Sequence, residues 1–71
     1  METFFDIGDY VCIKDNPDVI YRVTGYSIDF VGIKSTDGEI CTVERTSLEL
    51  VPNNDKRVLE FEKIGGIFLN L

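Results

Sequence analysis

The feature that most constrains this chain is a two-residue alternation of apolar and polar side chains. It recurs in five short runs, each closed by turn-forming residues. In 10–14, Val11 and Ile13 fall on one face; in 19–24, Tyr21 and Val23 do so against Arg22 and Thr24. Val31 and Ile33 pair in 30–34, Cys41 and Val43 in 40–44 against Thr42 and Glu44, and Leu48 and Leu50 in 47–51 against Glu49. Strand side chains point alternately to opposite faces, so period two in runs rich in β-branched and aromatic residues marks half-buried strands. The punctuation agrees. Gly8-Asp9 opens the first run, and Asp15-Asn16-Pro17-Asp18 separates it from the second. Residues 25–29 make the next connection. Asp37-Gly38 predicts a hairpin, because both residue types tolerate positive φ. The link from Glu44 to Ser47 has room for one 3₁₀ turn, and Pro52-Asn53-Asn54-Asp55 ends the fifth run.

Strands this short and few cannot form two packed sheets. One sheet must curl until its apolar face closes on itself, which also limits exposed edges. The expectation is an all-β fold, a small five-stranded barrel. Its predicted core is Val11, Ile13, Tyr21, Val23, Val31, Ile33, Cys41, Val43, Leu48 and Leu50. The chain is expected to be one domain over 1–71, with the barrel at 7–52 and an extension at 53–71 packed on it. The extension has two readings. Leu59 and Phe61 alternate with Glu60 and Glu62, and Gly65-Gly66 separates that run from Ile67-Phe68-Leu69, which suggests a C-terminal hairpin. Alternatively, a short helix capped by Asn54 or Asp55 stops at Gly65. The hairpin is preferred, although Leu, Glu and Lys favour a helix.

The pieces Gly8-Asp9-Tyr10-Val11, Pro17 in a long first loop, Tyr21-Arg22-Val23, the Asp37-Gly38 hairpin and Leu48-Glu49-Leu50-Val51 resemble the SH3-like barrel class over Ile7 to Pro52. That class includes peptide-binding, Tudor-like and KOW-type modules. The Ala-Leu-Tyr-Asp-Tyr stretch of proline-rich peptide binders is absent, as is the basic, glycine-rich start of KOW modules. The resemblance therefore implies a fold and leaves function open.

Composition narrows function more than it names it. At 71 residues the chain is small for a deep catalytic cleft. It has no histidine for acid–base work or metal binding. Asp15 and Asp18 only flank Pro17, Asp37 belongs to a turn, and no calcium-loop series is present. Cys12 and Cys41 lack C-x-x-C spacing and a histidine base. The expectation is no enzyme, no cofactor and no metal. No basic leader or long apolar run is visible, so the chain reads as cytoplasmic, with free thiols and no membrane span. A net charge of −6 opposes generic binding to nucleic acid.

The aromatic residues off the core parity or in a loop are the candidate binding site. Tyr10, Tyr26 and Phe30, edged by Asp18 and Asp29, are expected to form a patch for a cationic or apolar anchor of a protein partner. Ile67, Phe68 and Leu69 in the apolar C-terminal stretch are candidates for self-association, leaving monomer and homodimer both open. Phe4 and Phe5 are candidates to pack with that stretch. The leading functional expectation is a protein-interaction module, an accessory factor of a bacterium or mobile element that binds one larger protein, a basic partner being compatible with its acidic charge. The alternatives are an acidic nucleic-acid mimic that inhibits a nucleic-acid enzyme, and a KOW-like RNA- or DNA-binding barrel using Arg22, Lys34 and Arg45.

Overall fold

Five antiparallel strands follow one another and are completed by a helix. A computed structural model describes residues 4–69, with side chains described through residue 63. The strands are β1 (Tyr10–Ile13), β2 (Asn16–Tyr26), β3 (Phe30–Lys34), β4 (Ile40–Glu44) and β5 (Leu48–Val51). A 3₁₀ turn at Arg45–Ser47 joins β4 to β5, as the short link implied, and α1 spans Lys56–Leu69. The sheet order is β4-β3-β2-β1-β5. Val11, Val23, Val31, Ile33 and Leu48 form one buried cluster, with Ile13, Tyr21 and Val43 packed against it. All five strands thus supply one interior, as a curled sheet requires. The strand order leaves β4 and β5 as its two edges.

The turns follow their residues. Ser35 N–H donates to the Glu39 carbonyl at 2.9 Å and Gly38 N–H to the Ser35 carbonyl at 3.1 Å. Gly38 has φ +88°, the left-handed value that its hairpin needs. The first connection is shorter than expected. Ile13 pairs with Asn16 while Cys12 pairs with Ile20, so only Lys14 and Asp15 form the turn, and Pro17, Asp18 and Val19 bulge out within β2. Proline has no N–H to give the ladder, which suits it to such a bulge.

Three expectations for the core need correction. Cys41 and Leu50 are exposed, because they sit on the edge strands. Phe5 is buried in the interior cluster, so it does not wait on the C-terminal stretch. A second buried cluster joins Tyr10, Cys12, Ile20, Val51 and Val58, with Phe61 against it. The first four stand on the opposite parity from Val11 and Val23, so the sheet is apolar on both faces where β1, β2 and β5 meet. The helix α1 covers the outer one.

The extension is a helix and not the preferred hairpin. Asp55 caps it: Arg57 N–H donates to Asp55 Oδ1 at 2.8 Å, and the Asp55 carbonyl accepts from Val58 at 3.0 Å and Leu59 at 3.2 Å. Val58, Phe61 and Glu62 lie at helical spacing, and all three meet the second cluster or its Tyr10. The alternation of Leu59 and Phe61 misleads because it covers only four residues; Leu59 is in fact exposed. The backbone also continues helical through Gly65-Gly66, where a stop was expected.

Candidate interaction site

The expected aromatic patch is divided by the fold. Tyr10 is only 5% exposed and lies beneath α1. Its ring meets Phe61 edge to face at 5.4 Å between centroids and 74° between planes. Its hydroxyl donates to Glu62 Oε1 at 3.0 Å, and the Arg22 guanidinium stands 5.5 Å from its ring centre. Burial, and then the hydrogen bond to Glu62, push the Tyr10 hydroxyl pKa upward. Tyr10 is therefore a packing residue here. Asp18 lies in the β2 bulge, at the other end of the β2–β3 hairpin from Tyr26, Asp29 and Phe30.

Tyr26, Asp29 and Phe30 remain near one another, but not on one face. Tyr26 pairs with Val31, so its Cβ shares the inner parity, while Phe30 pairs with Glu44 on the outer parity. Around Phe30 the structure builds a cleft of about 300 Å³, lined by Asp29, Phe30, Glu44, Arg45 and Thr46. Arg45 N–H donates to the Asp29 carbonyl at 2.9 Å, tying the β2–β3 loop to the 3₁₀ turn. The Arg45 guanidinium lies 4.8 Å from the centre of the Phe4 ring, a cation–π contact. Large apolar side chains crowd this end: Ile28 is 81% exposed, Phe4 72% and Phe30 47%. Ile28, Phe4 and Arg45 were not among the predicted partner-binding residues. No sequence signal pairs Arg45 with an aromatic, since Glu44 and Thr46 flank it and Phe4 reaches it only through the fold.

A second cleft, of about 200 Å³, lies between the β2 bulge, the β3–β4 turn and α1. It is lined by Asp18, Val19, Ile20, Thr36, Arg57, Glu60 and Phe61. Arg57 is held in place there: Nε and Nη2 donate to Asp55 at 2.9 and 3.0 Å, and Nη1 to the Pro17 carbonyl. These hydrogen bonds hold the Asp55 carboxyl below the ordinary carboxylate range.

The three basic residues do not form a stripe. Arg22 and Lys34 are register partners, but Arg45 lies at the far end of the β3–β4 hairpin, against Phe4. Among the described residues no three cysteine, aspartate or glutamate side chains converge to hold a metal ion. No helix among them is long and apolar enough to cross a membrane. Cys12 and Cys41 are free thiols, the first buried and the second exposed. The side chains of Ile67, Phe68 and Leu69 lie outside the described residues.

The family model for the β-domain of mechanosensitive ion channels matches residues 1–55. The chain belongs to this family. The match takes in all five strands of the β-domain and ends at Asp55, the cap of α1. The small all-β fold that the SH3-like resemblance implied is present, and no particular SH3-like family is shown. Comparison with curated proteins and with solved structures yields no match.

Proposed function

We propose that this β-domain is a non-enzymatic protein-interaction module of a mechanosensitive-channel protein. One observation carries the reading: Phe30 and Arg45 line a cleft at one end of the sheet, and two more exposed apolar side chains adjoin it in the chain or by contact, Ile28 two residues before Phe30 and Phe4 against Arg45. Leaving large apolar groups in water has no benefit to an isolated domain, and a patch of them rimmed by charge is what a protein contact buries. The Arg45 guanidinium already rests on the Phe4 ring and its backbone is tied to the Asp29 carbonyl, so the ring contact reduces the side-chain freedom left to lose on contact. The free thiols fit a reducing compartment, which supports a cytoplasmic position for this face.

The test is capture of a tagged full chain from its native lysate, alongside an Ile28→Asp/Phe30→Asp variant, with and without nuclease. Both replaced side chains are exposed, so the variant should melt as the wild type does. The reading expects one stoichiometric protein on the wild type, unaffected by nuclease and lost with the variant. Equal capture by both forms overturns the site, and capture that disappears with nuclease overturns the protein-binding function.

A further inference from the structure

The cleft at the other end of the hairpin has a different chemistry. Its apolar lining is Val19, 38% exposed because it lies in the bulge, Ile20, and Phe61 of α1. Its lining also includes the acidic residues Asp18 and Glu60. Among the described residues neither makes an ion pair, whereas Arg57 pairs with Asp55. Arg57 also lines the cleft, but its guanidinium is committed to Asp55 and to the Pro17 carbonyl. The cleft therefore combines apolar lining with two carboxylates, and the Arg57 cation in the same lining is already paired with Asp55.

The geometry points to a receptor for one cationic side chain, a lysine or arginine of a protein partner. Such a side chain has a flexible aliphatic stem and a charged head, and it buries the stem along apolar surface while the head stays in polar surroundings. The stem matches Val19 and Phe61, and the head matches Asp18 and Glu60. Charge complementarity selects this occupant over an apolar one, which would take the carboxylates out of water unpaired. An anionic or nucleic-acid ligand would meet the same two carboxylates as repulsion. The site is independent of the Phe30 cleft, which lies at the far end of the β2–β3 hairpin.

The experiment uses the full chain, labelled with ¹⁵N, and the probe acetyl-Gly-Gly-Lys-Gly-Gly-amide, with norleucine or glutamate in place of lysine as controls. The lysine peptide should move the amide signals of Asp18, Val19, Thr36 and Phe61 saturably and leave those of Asp29, Phe30 and Glu44 in place. The norleucine peptide should bind more weakly and the glutamate peptide not at all. Asp18→Asn/Glu60→Gln removes both charges at exposed positions and should weaken the lysine peptide about fivefold, two exposed ion pairs being worth little each. The same variant should melt unchanged. Three results overturn the proposal: no saturable shift at the cleft, equal shifts with the norleucine peptide, or undiminished affinity in the double variant.

Discussion

Tyr10 stands on the outer parity of β1, yet it is one of the most enclosed aromatic side chains described. The apparent surface position follows from assuming that only one face of the sheet is buried. The sequence held a contrary sign: Tyr10-Val11-Cys12-Ile13 is apolar without a break, and such a run marks a strand covered on both sides. The placement gives a measurable expectation. Tyr10→Phe keeps the ring against Phe61 and loses the hydrogen bond to Glu62, at a cost of about 1 kcal/mol in urea unfolding. Tyr10→Ala also empties the space under α1 and should cost about 3 kcal/mol or more. Equal losses in the two variants would mean that the ring contributes nothing. The hydroxyl adds a pH dependence. Its pKa is raised in the folded state, so its stabilisation is complete below pH 10 or so, the unfolded value, and is lost as pH rises toward the folded one. Tyr10→Phe should flatten that alkaline decline. By contrast, Tyr26 is exposed, and Tyr26→Ala should change stability by no more than about 0.5 kcal/mol.

At the scale of elements, the strands were legible, and the helix was legible only as the second of two readings. Alternation located β1 to β5 because each strand keeps one face on the common interior, and period two survives whatever covers the other face. It also overcounted: Leu50 and Cys41 hold the right parity on edge strands, where no neighbour covers them. For α1 the deciding signal was a single cap, Asp55, against a fortuitous run of alternation. That cap is open to titration. Arg57 donates to the Asp55 carboxyl from its side chain and its backbone, and the pKa is depressed. A depressed carboxyl pKa contributes stability in full above the unfolded value of about 4, lost as pH falls through the folded value. Helical circular dichroism should therefore decline below pH 4 in the wild type. In Asp55→Ala the helix signal should be lower at pH 7 and nearly independent of pH over the same window. A variant that tracks the wild type through the acid range would remove Asp55 as the cap.

At the scale of the molecule, two apolar layers share the same strands. The inner one belongs to the β-domain alone, while the outer one is complete only when α1 lies on it. Since the family match ends at Asp55, the outer layer depends on the segment that follows the domain proper. The two layers should then separate in stability, with α1 opening before the sheet. The thiols report this directly, because Cys41 is exposed on β4 and Cys12 is buried under α1. An aromatic disulfide reagent should label Cys41 at once and Cys12 only as fast as α1 opens. Val58→Ala removes two methyl groups from the fully buried helix anchor, about 2 kcal/mol of outer-layer packing. It should speed Cys12 labelling by about tenfold or more while the sheet's circular dichroism stays native. Ile33→Ala damages the inner layer instead, by about 2–4 kcal/mol, and should lower the melting temperature of the whole domain. If Val58→Ala and Ile33→Ala speed Cys12 labelling only in proportion to global stability, then helix and sheet unfold as one unit. The helix would in that case be an integral wall of the barrel and not a cover laid upon it.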